Sequence, residues 1–137
     1  MTSDKNRTKL PLSLTEVMAG FPSPADDFLE SSLDLNEYLV SNPPSTFLVR
    51  VSGLSMQDGG IFPGDILVVD RSLNAEHGKI IVAVLDGEMT VKRLMKGAEG
   101  WFLQAENRRF KSILIGEKSE LAVWGVVVAV VRKLEGL

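Results

Sequence analysis

The chain has 137 residues, of which 45% are hydrophobic and 24% charged, and its net charge is −3 with a pI near 5.2. This composition predicts one domain with a hydrophobic core, excludes global disorder, and argues against a protein that mainly coats nucleic acid. The chain has no cysteine, so disulfides and thiol chemistry are excluded. With His77 as its single histidine, neither a zinc site nor any other cofactor is expected.

The first 45 residues are predicted to form a flexible N-terminal arm. Residues 1–14 are polar and irregular, and we expect them to be mobile. Pro22 and Pro24 bar a helix in the next segment and favour extended backbone, and Ala19–Gly20 adds two very small residues. Such a segment is typical of a linker, and it is also the form in which a protease cleft accepts a chain.

A short helix and then a series of strands follow this segment. The helix is predicted over residues 34–40, with Asp34 as its N-cap and Pro43–Pro44 as its end. Beyond it, apolar runs of strand length alternate with turns, and Asp86–Gly87 is a strong hairpin signal. Residues 46–137 are therefore predicted to form a mostly β domain of short twisted sheets and hairpins. The predicted strands are 46–51, 66–70, 79–85, 88–94, 101–105, 112–115 and 121–131.

No segment of the sequence resembles a membrane anchor. The longest apolar run, residues 122–131, is about half as long as a membrane-spanning helix requires. Its valines favour a buried strand, and the polar N-terminus lacks the apolar stretch of a secretory signal. We therefore expect a soluble, cytoplasmic protein that does not contact a membrane.

A polar turn follows the first strand of the β domain. Ser52-Gly53-Leu54-Ser55-Met56 stands at the end of an apolar run, where a glycine-supported turn can present the Ser55 hydroxyl. An ordinary surface turn has the same composition, so this stretch alone leaves both interpretations open. A serine nucleophile requires a base, which is either a histidine in a triad or a lysine in a dyad. His77 lies in a polar turn that is typical of a surface histidine.

Lys92 is the candidate base. A lysine accepts a proton only when it is uncharged, so its pKa must fall from about 10.4 toward about 7–8, which burial can achieve. Lys92 lies in the second strand of the predicted hairpin, and alternation places it on one face with Thr90 and Leu94. Arg93 cannot serve, because a guanidinium stays protonated. The pattern alone also allows an outward-facing strand lysine at position 92.

Three motifs, in this order along the chain, resemble the self-cleaving LexA/UmuD serine peptidases. Residues 17–24 are similar to the cleavage segment of that family, and residues 123–127 to its ending. The resemblance covers about residues 15–131 and is closer to UmuD-like members, because too few residues precede Gly20 for the DNA-binding domain of LexA-type repressors. Leu54 departs from the acidic or small polar residue of many UmuD-like members and matches the apolar residue of LexA-like ones. The three motifs are Ser52-Gly53-Leu54-Ser55-Met56, Pro63-Gly64-Asp65-Ile66-Leu67-Val68-Val69-Asp70 and Thr90-Val91-Lys92-Arg93-Leu94.

The resemblance implies a reaction and a set of partners. It assigns Ser55 as the nucleophile, Lys92 as the general base and Ala19–Gly20 as the cleaved bond. The backbone N–H groups of Leu54 and Ser55 would form the oxyanion hole. The family further implies that cleavage is stimulated by the RecA–single-stranded DNA filament in the SOS response. The shortened product, residues 20–137, would form a homodimer and join a UmuC-like Y-family DNA polymerase in error-prone translesion synthesis, without binding a specific DNA sequence itself.

Three other functions stay open at this point. The chain could be a dimeric accessory module of the polymerase without catalytic activity, or a fragment of a LexA-like repressor. A signal peptidase has a similar Ser-Lys architecture but would need a membrane anchor. The sequence does not choose between cleavage within one chain and cleavage of a dimer partner, because the segment from Gly20 to Ser55 is long enough for both.

Overall fold

The computed structural model describes residues 9–14, 16–17, 19–20 and 30–135. The chain divides into two compact units, Met1–Ser41 and Asn42–Leu137. The secondary structure in the described ranges is mostly β, which confirms the predicted fold class. No helix in these ranges has both the length and the apolar character needed to cross a membrane.

The first unit contains a two-stranded antiparallel sheet and a short helix. Strand β1, Lys9–Ser13, pairs with strand β2, Glu30–Asp34, and helix α1 follows directly over Leu35–Leu39. The Asp34 carboxylate accepts a hydrogen bond of 2.9 Å from the Asn36 N–H. The predicted helix and its cap are therefore confirmed, although the helix ends before the prolines that were expected to stop it.

The expectation of irregular backbone over residues 1–14 was wrong for Lys9–Ser13, which form β1. Nothing local marks these residues as a strand, and Pro11 argues against one. Their conformation comes from pairing with β2, which places Pro11 opposite Ser32 in a sheet of two edge strands. Residues 1–8 and the predicted proline segment 21–24 lie outside the described residues.

The second unit is built on a seven-stranded antiparallel sheet with the strand order β3-β4-β9-β5-β6-β7-β8. β4 and β9 have the predicted bounds, but the expectation that β9 is a buried strand was wrong, because most of its side chains are exposed and only Gly125 and Val126 are buried. β6 continues past the predicted Leu94 to Gly97 because it pairs with β7 there. The strands are β3 Thr46–Arg50, β4 Ile66–Asp70, β5 Ile80–Leu85, β6 Glu88–Gly97, β7 Gly100–Gln104, β8 Ile113–Leu114 and β9 Leu121–Val131. Short 3-10 helices lie at Pro43–Ser45 and Gln57–Gly59.

The predicted hairpin joins β5 to β6. Asp86 and Gly87 have φ angles of 49° and 84°, the pair of positive values that a two-residue turn of type I′ requires. This turn sets the register in which Ile81 faces Lys92 across the two strands. The hairpin is therefore the element that fixes the position of Lys92 along the sheet.

Two hydrophobic clusters lie on opposite faces of β5. Val82 belongs to the first cluster, and its neighbours Ile81 and Ala83 belong to the second. The first cluster also contains Val51 and Met56, which come just before and within the turn that carries Ser55. One face of the sheet is thus packed directly beneath that turn.

Strand β9 is the third strand in the sheet order and pairs with both β4 and β5. Its register shifts once against each neighbour, between Val68 and Val69 of β4 and between Val82 and Ala83 of β5. Gly125 of β9 lies so close to β4 that a Cβ atom there would be 2.7 Å from Val69 Cγ1. This close contact requires glycine at position 125.

Candidate active site

Ser55 lies in the turn that follows β3, which we call the Ser55 turn (residues 52–60). The base of the turn is closed at Val51, whose N–H donates to the Asp65 carbonyl and whose own carbonyl accepts from the Gly64 N–H, both at 2.8 Å. Met56, only 2% exposed, packs into the first hydrophobic cluster immediately after Ser55. Ser55 itself is half-buried and is held between these two anchors.

Lys92 reaches Ser55 from β6. Its Nζ donates to Ser55 Oγ at 3.0 Å, to Thr90 Oγ1 at 2.7 Å and to the Val91 carbonyl at 3.2 Å. Thr90 and Lys92 share a face of the strand, as the alternation predicts. The structure thus brings the two predicted residues within hydrogen-bond distance, and an outward-facing lysine does not describe position 92.

The surroundings of Lys92 favour its neutral form. Burial lowers the pKa of Lys92 below the ordinary value of 10.5, because the half-buried ammonium loses hydration. Among the described residues, no carboxylate forms an ion pair with Lys92 that would oppose this effect. The uncharged amine is therefore more populated at a given alkaline pH than in an ordinary surface lysine.

A cleft of about 330 Å³ opens beside the Ser55–Lys92 pair. Its lining mixes polar and apolar side chains, and Ser55 and Lys92 are both half-buried in it. A peptide segment would reach the Ser55 hydroxyl from this side. Besides Ser55, Lys92 and Thr90, it is lined by Val49, Arg50, Val51, Ser52, Leu67, Val82, Met89 and Val91.

The backbone at Leu54 and Ser55 is fixed through the Leu54 carbonyl. This oxygen accepts from the Gln57 N–H at 3.1 Å and from Asn107 Nδ2 at 2.7 Å. Within the part of the chain that the structure describes, the N–H groups of Leu54 and Ser55 donate to no protein acceptor. Two adjacent donors next to a nucleophile are the arrangement that an oxyanion hole requires.

The remaining sequence candidates are the cleavage-site pair and His77. Ala19 and Gly20 belong to the first unit and are exposed, and Gly20 has a φ of 120° that a larger residue would rarely adopt. His77 accepts a hydrogen bond of 2.9 Å from the Lys96 N–H and has no bond to Ser55. The geometry therefore gives no support to a Ser-His triad. In the described ranges, no group of potential ligand side chains is arranged to hold a metal ion.

Sequence reasoning missed Glu106 and Asn107, which follow β7. The Glu106 carbonyl accepts a hydrogen bond of 2.6 Å from the Asp58 N–H, and Asn107 binds the Leu54 carbonyl. Both residues thus contact the Ser55 turn from a distant part of the chain. No local pattern marks such contacts, because they depend on where β7 ends in the folded sheet.

A serine hydroxyl bonded to a half-buried lysine is the arrangement that serine peptidases of the Ser-Lys type use. Comparison with known families agrees, since residues 11–128 match the Peptidase S24-like family. The chain belongs to this family of self-cleaving serine peptidases, which confirms the LexA/UmuD resemblance found in the sequence.

Individual relatives show which members of the family this chain resembles. The chain is 46% identical to the protein MucA of Salmonella typhimurium over 119 residues, which are 86% of this chain and 81% of MucA. It is 41% identical to the protein SamA of Salmonella typhimurium over 123 residues, 90% of this chain and 85% of SamA. The LexA repressor of Acidithiobacillus ferrooxidans is 38% identical over 135 residues, 96% of this chain and 65% of that repressor. MucA and SamA are UmuD-like SOS mutagenesis proteins, and the function of this chain is UmuD-like.

Proposed function

We propose that this UmuD-like protein cleaves its own chain between Ala19 and Gly20, with Ser55 as the nucleophile and Lys92 as the general base. The observation that carries the proposal is the hydrogen bond of 3.0 Å between Lys92 Nζ and Ser55 Oγ. Membership of a self-cleaving peptidase family supports it independently. The cleavage segment itself is inferred from its resemblance to that of the family.

The first half of the reaction forms an acyl-enzyme. The neutral Lys92 amine takes the proton of the Ser55 hydroxyl, and the oxygen attacks the carbonyl carbon of Ala19. The N–H groups of Leu54 and Ser55 donate to the oxyanion, where one such donor is typically worth about 3–4 kcal/mol. The bond to Gly20 then breaks, and the Lys92 ammonium returns the proton to the departing amine.

The second half releases the arm. A water molecule loses a proton to Lys92, attacks the ester carbon and displaces Ser55 Oγ, which recovers its proton from the ammonium. The products are a free carboxylate at Ala19 and a free amine at Gly20. Thr90 and the Val91 carbonyl support both halves, because they hold the amine next to the serine.

The shortened chain, residues 20–137, then acts in the cytoplasm as a homodimeric subunit of a UmuC-like Y-family DNA polymerase. The RecA–single-stranded DNA filament stimulates its formation, and the assembly copies damaged DNA with errors. The similarity to MucA and SamA supports this role. The protein contributes no sequence-specific DNA contact of its own in this scheme.

The decisive experiment is incubation of the purified full chain near pH 10, followed by mass spectrometry of the fragments. We expect a new N-terminus at Gly20 and no product from Ser55→Ala or Lys92→Ala. Matched controls are Ser112→Ala and Lys96→Ala, which remove an exposed serine and an exposed lysine away from the cleft. Both controls should be cleaved at the wild-type rate.

Two results would overturn the proposal. A wild-type chain that stays intact at high pH and with RecA filament would favour a non-catalytic accessory module. Cleavage at another bond would contradict the assignment of Ala19–Gly20, even if that cleavage still required Ser55 and Lys92. Because the chain also matches a LexA repressor, a DNA-binding measurement at low salt tests the repressor alternative, and we expect no sequence-specific binding.

A further inference from the structure

We infer that Asn107 is a positioning residue that aims the oxyanion-hole N–H of Ser55. This inference rests on the proposed function, because it concerns the same serine. Asn107 Nδ2 donates to the Leu54 carbonyl at 2.7 Å, across a separation of 53 residues. The contact touches neither the nucleophile nor the base, so Asn107 acts through the peptide group between Leu54 and Ser55.

That peptide group transmits the contact. A peptide bond is planar and trans, so the carbonyl of Leu54 and the N–H of Ser55 form one rigid unit and point in opposite directions. Fixing the direction of the carbonyl therefore fixes the direction of the N–H. The Gln57 N–H also binds this carbonyl, but it belongs to the same turn and moves with it. Asn107, in contrast, holds the Leu54 carbonyl from outside the turn.

The orientation of the Asn107 amide follows from its second contact. Its Oδ1 accepts a hydrogen bond of 3.0 Å from the Arg109 N–H. A backbone N–H can only donate, so the oxygen must face Arg109 and the NH₂ group must face the Leu54 carbonyl. Both ends of the Asn107 side chain are thus used, and the direction of the bond to Leu54 is fixed.

The neighbouring residue Glu106 holds the same turn at a second point. Its carbonyl accepts from the Asp58 N–H, and its side chain packs so closely on Gly59 that a Cβ there would be 3.0 Å from Glu106 Cγ. The Glu106 carboxylate forms an ion pair with Arg93, the residue after Lys92 on β6. The strand that carries the base therefore also fixes the segment that braces the oxyanion hole.

The test compares self-cleavage rates of the full chain over the alkaline pH range for wild type, Asn107→Leu and Asn107→Ala. Leucine keeps the size of the side chain without adding charge, and alanine serves if leucine disturbs folding. We expect the limiting rate at high pH to fall about 10- to 100-fold, because the oxyanion donor is misaimed rather than removed. The pH at which the rate is half-maximal should not move, since Lys92 is untouched. Lys111→Leu, an exposed position near Asn107 in the sequence, is the matched control and should behave as wild type.

A second readout separates aiming from general destabilisation. In ¹H–¹⁵N spectra recorded at neutral pH, the Ser55 amide resonance should shift in both variants, while the melting temperature changes little. A limiting rate within about threefold of wild type would overturn the inference. So would an unmoved Ser55 resonance, or a rate loss that comes with a shifted pH midpoint. If wild type does not cleave, or Ser55→Ala still does, the proposed function fails instead.

Discussion

Asp65 and Arg132 pair through two parallel hydrogen bonds, from Nε to Oδ1 and from Nη2 to Oδ2, each 2.6 Å long. Arg132 directly follows β9, and Asp65 directly precedes β4 and is 1% exposed. The guanidinium also donates to the Gly60 carbonyl at 2.9 Å and lies 4.6 Å from the centre of the Phe62 ring. The pair therefore connects the end of β9 to the end of the Ser55 turn.

Arg132→Met should lower the free energy of unfolding at neutral pH, because it leaves the Asp65 carboxylate without its cation. Arg132→Lys should lower the free energy of unfolding by less, since lysine keeps the positive charge but cannot form the two parallel hydrogen bonds. Arg108→Met, an exposed arginine, is the control. Urea titrations of all four proteins measure the differences, and equal stability of wild type and Arg132→Met would contradict the role of the pair.

The same pair has a pH signature. Hydrogen bonds from Arg132 lower the pKa of Asp65 below its ordinary 3.8. A carboxylate whose pKa is depressed on folding stabilises the protein above its unfolded pKa, and this stabilisation is lost as the pH falls through the folded pKa. The stability difference between wild type and Arg132→Met should therefore shrink in acid below about pH 3.8. A difference that stays constant into acid would show that Asp65 is not its source.

The lowered pKa of Lys92 predicts two pH effects. The self-cleavage rate should rise with pH and level off, with a midpoint below 10.5. Between this midpoint and the unfolded value of about 10.4, the unfolded chain binds more protons, so the free energy of unfolding should rise with pH. The rise should be present in the uncleavable Ser55→Ala protein and absent from Ser55→Ala/Lys92→Met. Parallel pH curves for these two proteins would rule out a buried Lys92 as the cause.

The Thr90 hydroxyl should increase the rate of self-cleavage. Because Lys92 Nζ donates to Thr90 Oγ1 at 2.7 Å, Thr90→Val removes one of three acceptors that hold the amine. We expect the limiting cleavage rate to fall about 10-fold, as for other losses of catalytic positioning. Thr90→Ser keeps the hydroxyl and should restore most of the rate. Equal rates for the valine and serine variants would show that the hydroxyl has no role.

Gly125→Ala should destabilise the second unit by about 1–3 kcal/mol, the usual cost of overpacking. The added Cβ would lie 2.7 Å from Val69 Cγ1 and 2.9 Å from the Asp70 carbonyl oxygen, so β4 and β9 must separate. Gly116→Ala is the matched control, since its nearest contact would be 3.8 Å away. Thermal unfolding measures the stability of both variants, and similar melting temperatures would contradict the close contact between β4 and β9.

Local patterns predicted the elements of the β domain because each one carries its own signal. The aliphatic runs of β4 and β9 have the lengths of strands, and Asp86–Gly87 has the composition that a type I′ turn demands. The same runs do not reveal burial, since β4 is buried and β9 is mostly exposed. The strand alternation also placed Thr90 beside Lys92, as found. These features depend on a few neighbouring residues, so the sequence alone carries them.

Features that depend on distant partners could not be predicted in this way. β1 is a strand because β2 pairs with it, and its own residues, Pro11 included, carry no strand signal. Asn107 is one polar residue in a loop until β7 brings it to the Leu54 carbonyl. The separation between Ser55 and Lys92 suggested a pair only through resemblance to a family, whereas the distance of 3.0 Å required the folded sheet.

The position of β9 between β4 and β5 has a consequence for the order of events during synthesis. β3 and β4, which lead into and out of the Ser55 turn, and β5 and β6, which carry Lys92, are joined in the sheet through β9 alone. β9 is the last of these strands to leave the ribosome, whereas the segment around Ala19 and Gly20 emerges early. The segment that holds the proposed scissile bond is therefore synthesised long before the sheet can close. The proposed cleavage must wait until β9 has been made and has joined the two pairs of strands.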